Sequence, residues 1–205
     1  MDQELQSKSL QKSELRAKAK QIFSSLNLKD LSLKLNSILS ESDIWQNARS
    51  ILCYSSLRDE IDLSETINLL RKANKNIFLP KVLSNSIDLS INPHSNPHSN
   101  PCAYTQLAHQ LNELNGQAIT ESFKLEFDFS KLDLLFIPGL MFDEKGYRLG
   151  RGMGFYDRVL AQINPRAVTI GIIPSALIVP KLACIESFDL SVHYLFSEKG
   201  LQKVL

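Results

Sequence analysis

The sequence is poor in three features that mark specialised classes of protein: cysteine, net charge and long apolar runs. Its 3 cysteines include no CxxC pair, which argues against a zinc site or a disulfide framework. A formal net charge of +1 argues against a non-specific nucleic-acid binder, which needs a strongly basic face. No apolar run reaches membrane-spanning length, and the N-terminal MDQELQSKSL is too polar for a signal peptide. We therefore expect a cytoplasmic protein without a nucleic-acid or membrane partner.

The features that are present are those of an ordinary globular chain. Hydrophobic residues make up 43% of the sequence and charged residues 22%, both typical values. A chain of 205 residues is long enough to bury roughly 70% of its unfolded surface. No composition shift marks an internal boundary, so we expect residues 1–205 to form a single domain.

Strand and helix patterns alternate along the chain. Apolar runs predict strands at 49–55, 76–79 (ended by Pro80), 134–137, 167–173 and 193–197. Amphipathic spacing predicts helices over 8–27, over 31–39 with Asp30 as N-cap, and after Asp62, which with Glu65 resembles a capping box. Such alternation predicts an α/β fold with right-handed crossovers and a mostly parallel sheet covered by helices on both faces. The last residues, EKGLQKVL, are expected to form a terminal turn.

Residues 84–101 interrupt this pattern with a proline-rich segment. It contains the tandem repeat NPHSNPHSNP, residues 92–101. His94 and His98 lie four residues apart, which on a helix would suggest a metal pair, but the prolines of the repeat exclude that helix. We therefore expect a flexible, solvated loop over 84–101.

The most distinctive stretch is a glycine-rich segment that follows the strand at 134–137. Three alternate glycines are threaded with two arginines: Arg148, Gly150, Arg151, Gly152 and Gly154. Glycine lets a phosphate approach backbone N–H groups, and guanidiniums add charged hydrogen bonds. The segment lacks the Gly-Lys-Ser/Thr of a Walker loop and the spacing of the dinucleotide fingerprint. On these residues alone, a phosphate site and a flexible loop with two solvated arginines are both open.

Two further groups of polar residues are placed where ligands bind. Lys12 and Arg16 are four apart, so on a helix they project together and can clasp one phosphate, although most charges of this helix are expected to form a solvated basic face. The polar segment 56–60 follows the first strand, where open α/β sheets bind ligands.

The run PGLMFDEKGYRLGRGMGFYDR closely resembles the signature of the 5-formyltetrahydrofolate cyclo-ligases, also called methenyltetrahydrofolate synthetases. Weaker similarity is carried by KSELR at 12–16, RDEID at 58–62 and LPKV at 79–82. The resemblance implies one α/β domain of the kind found in sugar-phosphate isomerases and CoA transferases. It also implies ATP- and Mg²⁺-dependent conversion of 5-formyltetrahydrofolate to 5,10-methenyltetrahydrofolate, with release of ADP and phosphate through a phosphorylated formyl group. We expect the protein to act as a monomer.

The resemblance also implies a role for each matching residue. The ATP-binding residues would be Lys12, Arg16, Arg148, Leu149, Gly150, Arg151, Gly152, Met153, Gly154, Phe155 and Tyr156. Of these, Arg151 and Lys12 would be the catalytic residues. Glu60 and Tyr156 would bind the folate, and Asp157 and Asp189 would bind Mg²⁺, an ion that prefers carboxylate and phosphate oxygens. An alternative for Asp157 is a charge that complements the dipole of the helix it begins.

Three positions depart from the family pattern. Met153 stands where glycine or lysine is frequent, Phe155 where tyrosine is frequent, and His193 where aspartate is common. A non-catalytic relative that binds folate or nucleotide is therefore the alternative function. A sugar-phosphate isomerase is a weaker third, because it needs an acid/base pair that the sequence does not supply.

Overall fold

The computed structural model describes residues 2–83, 86–91 and 128–204. Its helices are α1 (Asp2–Ser25), α2 (Leu28–Glu41), α3 (Ser64–Lys72) and α4 (Phe155–Leu160). Its strands are β1 (Ser50–Leu52), β2 (Asn76–Leu83), β3 (Ser86–Ile91), β4 (Leu134–Pro138), β5 (Met141–Asp143), β6 (Arg148–Leu149), β7 (Val168–Ile172), β8 (Ile178–Val179), β9 (Tyr194–Ser197) and β10 (Gly200–Lys203). Across the described ranges, no helix has the length and apolarity needed to cross a membrane.

A mostly parallel seven-stranded sheet forms the centre of the fold, as predicted. Its strand order is β10-β9-β7-β4-β1-β2-β3. The five inner strands are all parallel to their inner neighbours, whereas β3 and β10 add antiparallel edges. A smaller sheet, in the order β6-β5-β8, stands beside it. This smaller sheet carries the start of the glycine-rich segment.

Helices cover both faces of the main sheet, which explains why its inner strands are largely apolar. All five residues of β4 are buried, and they alternate between the two faces. Leu135 and Ile137 pack with Ala19 and Phe23 of α1 and with α4. The other face, which includes Leu134 and Phe136, packs against α2 and α3. The prediction of a sheet between two helical layers is therefore confirmed.

Three helix starts differ from the prediction. Helix α1 begins at Asp2, six residues before the predicted start. Helix α2 begins earlier, because Asn27 is its N-cap and its side chain accepts a hydrogen bond from the backbone N–H of Asp30 at 3.3 Å. Asp30 therefore lies in the first turn and is not the cap. The capping box at α3 is also wrong: Asp62 accepts from the N–H and hydroxyl of Ser64, and the N-cap position itself is Leu63.

The edge strands are the other departure from the prediction. Strand β2 continues through Pro80. The Phe78 carbonyl faces β1, so the backbone of Pro80, two residues later, faces the same side. Strand β1 has no paired residue at that level, so the N–H that proline lacks is not needed there. Residues 86–91, expected in the loop, form β3. The expected terminal turn includes β10. The repeat at 92–101, with His94 and His98, lies outside the described residues.

Candidate functional site

A cleft of about 430 Å³ opens beyond the carboxyl ends of β1 and β4. Its walls come from α1, the segment after β1, the glycine-rich segment and residues 184–189. The cleft is lined by every residue that the sequence assigned to ATP, folate or Mg²⁺: Lys12, Arg16, Glu60, Arg148, Leu149, Gly150, Arg151, Gly152, Met153, Gly154, Phe155, Tyr156, Asp157 and Asp189. Segments that are distant in the sequence therefore meet at one concave surface.

The glycine-rich segment is held at both ends. Its start is paired into the β5–β6 hairpin, whose turn is fixed by the buried Asp143 carboxylate. That carboxylate accepts three backbone N–H bonds, from Lys145, Tyr147 and Leu182. At the other end, the Arg158 guanidinium of α4 donates to the Met153 carbonyl at 3.1 Å.

Two of its glycines adopt a conformation that strongly favours glycine. Gly152 has φ +103° and Gly154 has φ +62°, both in the region that L side chains rarely adopt. Gly154 is also the N-cap of α4, and it lines the cleft together with Phe155 and Tyr156 of that helix. The backbone path of the segment therefore depends on glycine at these positions.

Helix α1 contributes two cationic side chains to the cleft, and one of them contacts the glycine-rich segment. Arg16 donates from Nε to the Gly150 carbonyl at 3.0 Å, and burial lowers the pKa of its guanidinium. A Cβ atom at Gly152 would lie 3.3 Å from Arg16 Nη2. One turn earlier, Lys12 pairs with Glu186, and its Nζ is 3.9 Å from Asp189 Oδ2. From one helix, Arg16 therefore faces the glycine-rich segment and Lys12 faces the segment that carries Glu186 and Asp189.

Glu60 and Arg151 join the opposite wall to the glycine-rich segment. Arg151 donates from Nε to Glu60 Oε1 at 3.3 Å and from Nη2 to Asp59. Glu60 Oε2 accepts from the Leu57 N–H at 2.9 Å, which fixes the carboxylate. Burial raises the pKa of Glu60, and the charge of Arg151 opposes that rise. Burial alone would lower the pKa of Arg151, but Asp59 and Glu60 raise it overall.

The two aspartates assigned to Mg²⁺ are both next to cations. Asp157 Oδ1 accepts from Arg148 Nη2 at 2.6 Å, while Asp189 accepts from the Glu186 N–H at 2.8 Å and faces Lys12. Within the described parts of the chain, no group of three or more His, Cys, Asp or Glu side chains is arranged to hold a metal. Two carboxylates still suit Mg²⁺, because this ion usually takes one or two protein carboxylates together with phosphate oxygens and water.

His193 lies apart from the residues that line the cleft. Its Nδ1 is 3.1 Å from the Thr169 N–H and 2.9 Å from the Thr169 hydroxyl, so it connects the strand after Val192 to β7. The side chain at this position therefore makes its contacts within the main sheet.

Comparison with known proteins identifies the family. The sequence profile of the 5-formyltetrahydrofolate cyclo-ligase family matches residues 4–197. The chain belongs to this family. The cyclo-ligase of Mus musculus is 32% identical over 151 residues, which cover 71% of each chain. The cyclo-ligase of Escherichia coli K12 is 30% identical over 117 residues, which are 55% of this chain and 58% of the relative.

Solved structures of cyclo-ligase relatives share the fold. The 5,10-methenyltetrahydrofolate synthetase of Aquifex aeolicus, determined by NMR, superposes with a TM-score of 0.70 at 27% identity, covering 94% of this chain and 92% of that one. The Mycoplasma pneumoniae synthetase has the same fold at 22% identity, with a TM-score of 0.66 and coverage of 91% and 98%.

The cyclo-ligase cleft includes residues that the sequence did not single out. Asp59 and Glu186 are the carboxylate partners of Arg151 and Lys12, and Tyr54 donates its hydroxyl to the Ile61 carbonyl beneath Glu60. Phe188 lines the cleft beside them. The sequence signal for Asp59 and Glu186 was only their closeness along the chain to Glu60 and Asp189. The ion pairs themselves join residues that are 92 and 174 positions apart, which no local pattern reveals.

Proposed function

We propose that this cyclo-ligase family member converts 5-formyltetrahydrofolate and ATP to 5,10-methenyltetrahydrofolate, ADP and phosphate. The observation that carries the proposal is the position of Arg151, which extends from the glycine-rich segment to Glu60 across the cleft. The side chain thus links a wall suited to phosphate with a wall suited to a pterin, and the reaction must bring these two ligands together.

The nucleotide would lie against the glycine-rich segment. Its phosphates would accept from backbone N–H groups of residues 150–154 and from Lys12, Arg16 and Arg148. Lys12 and Arg148 now have carboxylate partners, so the phosphates would take the places of Glu186 and Asp157 as their counter-charges. Asp157 and Asp189 would then hold Mg²⁺, which neutralises phosphate charge when bound.

The folate would lie against the segment after β1. Glu60 would accept hydrogen bonds from the N–H groups of the reduced pterin, and Tyr156 would pack beside it. Because Glu60 is buried and already accepts from the Leu57 N–H, little rotational freedom is lost when it binds.

The chemistry would proceed in two displacements. The formyl oxygen attacks the γ-phosphorus, an O–P bond forms, and ADP leaves as its bond to that phosphorus breaks. The neighbouring folate nitrogen then attacks the activated carbon and loses its proton, and phosphate leaves as the C–O bond breaks. Arg151, which contacts the folate wall, would align the γ-phosphate, and Lys12 would neutralise charge on the phosphate oxygens farther from that wall. Positioning and charge neutralisation of this kind supply most of the rate of enzymatic phosphoryl transfer.

The direct test follows methenyl absorbance after mixing purified protein with 5-formyltetrahydrofolate, Mg²⁺ and ATP. We expect absorbance to rise with ATP and to stay flat without it. A well-folded protein that binds both ligands and forms no product would support the non-catalytic alternative and contradict the proposal. The cytoplasmic location and the monomeric state stay predictions from the sequence.

A further inference from the structure

An aromatic ring is exposed at the cleft, on the side of Lys12. Phe188 is 68% exposed, more than any other large hydrophobic residue that the structure describes. It lines the cleft together with Ile185, Glu186 and Asp189. A phenyl ring in water at a cleft wall offers apolar area and a flat face to a ligand that covers it.

The ring is carried by a turn with a fixed position. The Asp189 N–H donates to the Glu186 carbonyl at 3.1 Å, which closes a four-residue turn with Phe188 at its third position. The Glu186 N–H donates back to the Asp189 carboxylate at 2.8 Å. Both carboxylates of the turn also face Lys12. The backbone that carries Phe188 is therefore tied to α1.

The connection to Lys12 indicates which ligand the ring would meet. Lys12 and Arg16 contact the triphosphate under the proposed function, whereas Glu60 and Arg151 define the folate wall. Because the γ-phosphate must lie toward the folate wall, the part of ATP that extends past Lys12 in the other direction is the nucleoside. We propose that Phe188 stacks on the adenine ring of ATP and so contributes nucleotide affinity; this inference rests on the proposed function. Stacking recognises the flat face of a base and tolerates exchange of one base for another.

Calorimetric binding of MgATP and of inorganic tripolyphosphate tests the inference. Phe188→Ala should weaken ATP binding roughly 10-fold, since stacking of one base on an aromatic ring is worth this much. It should leave tripolyphosphate affinity within about twofold, because the phosphate contacts are unchanged. Phe188→Trp should retain ATP affinity. Leu33→Ala removes a similarly exposed apolar side chain, 47% exposed on α2 and away from the cleft, and should change neither affinity.

Several results would overturn the inference. ATP affinity of Phe188→Ala equal to that of the unmodified protein excludes stacking. Equal loss of ATP and tripolyphosphate affinity means that the residue acts through Lys12, and loss of 5-formyltetrahydrofolate affinity alone places the ring on the folate. Unmodified protein that binds ATP but forms no methenyl product contradicts only the proposed reaction. The comparison of ATP affinity between Phe188→Ala and the unmodified protein then still tests the stacking. Unmodified protein that binds no ATP overturns both.

Discussion

Three cationic side chains of the cleft already have carboxylate partners. Lys12 faces Glu186 and Asp189, Arg148 faces Asp157, and Arg151 faces Asp59 and Glu60. These pairs are only partly exposed, so they are less screened than surface pairs and hold long side chains in place before a ligand arrives. A phosphate that binds here exchanges one anionic partner for another, and the cations need little rearrangement.

Arg151 is the residue whose loss should affect the site most directly. Arg151→Ala removes a charged donor to phosphate and should weaken ATP binding by about 1.5–3 kcal/mol. Titration calorimetry with MgATP measures this, and Arg166→Ala, an exposed arginine away from the cleft, is the matched control. Unchanged nucleotide affinity in Arg151→Ala would contradict the position proposed for the triphosphate.

The buried Glu60 carboxylate should lower the stability of the folded protein, although it contributes to folate binding. Burial raises its pKa in the folded state, so between the unfolded and folded values the native protein binds the extra proton, and stability falls as pH rises through that window. Glu60→Gln should therefore melt at a higher temperature than the unmodified protein at pH 7. The difference should vanish below about pH 4, where the carboxyl is protonated in both states.

The same substitution should lower turnover roughly 10-fold or more, because a neutral amide replaces a charged acceptor for the pterin. Thermal melts from about pH 3 to about pH 8 and the methenyl assay give both readouts. Glu65→Gln, an exposed glutamate of α3, should change neither. A Glu60→Gln protein that melts lower at pH 7 would show that the Arg151 pair outweighs the desolvation of the carboxylate.

At the scale of elements, the glycine-rich segment should depend on positive φ at Gly152. Gly152→Ala should cost about 1–2 kcal/mol of stability from the backbone alone. The new Cβ would lie 3.3 Å from Arg16 Nη2, so ATP affinity should also fall, roughly 10-fold for a weakened charged contact.

Gly200 provides a matched comparison for that substitution. It has φ +100° at the start of β10, and a Cβ there meets nothing within 4 Å. Gly200→Ala should therefore carry a similar strain and leave ATP affinity unchanged. Chemical denaturation and calorimetry on both variants separate strain from binding, and equal ATP affinity in the two would contradict the role given to the segment.

The elements that the sequence predicted well are those whose pattern is dictated by burial on both faces. The runs at 134–137 and 167–173 were recognisable because strands buried between two helical layers are almost continuously apolar, with Thr169 as the one polar residue of the two runs. The edge strands β3 and β10 were missed, because β10 is mostly exposed and both contain polar residues that also suit loops. The start of α2 was misplaced because Asn27 and Asp30 are both suitable caps, and sequence alone does not choose between them.

At the scale of the whole molecule, the site is assembled by topology. The resemblance placed Lys12, Glu60 and Arg151 at a common site, and the structure puts them at one cleft because parallel strands deliver their carboxyl ends to the same edge. The partners of these residues followed no sequence pattern. Glu186 reaches Lys12 only because the chain returns past α1 after β8, and a single sequence carries no periodicity that encodes this contact.

Because the cleft joins α1, the glycine-rich segment and the main sheet, bound ATP should stabilise the protein as a whole. At 100 times its Kd, a ligand that binds only the folded state adds about 2.7 kcal/mol. For a protein of this size that corresponds to a rise in melting temperature of about 5–11 °C. Thermal melts with and without MgATP measure the shift directly.

Lys12 should account for much of the stabilisation by ATP. At the same ATP concentration, a tenfold loss of affinity in Lys12→Ala would remove about 1.4 kcal/mol of the ligand-dependent stabilisation, roughly half of the shift. The comparison uses the ATP-induced shift of each variant, because Lys12→Ala also leaves Glu186 without its cation and so changes the melting temperature before ATP is added. Lys18→Ala, on the exposed side of α1, should keep the full shift. If Lys12→Ala keeps it as well, the triphosphate does not lie against α1, and the contact between Arg16 and Gly150 serves only to dock this helix.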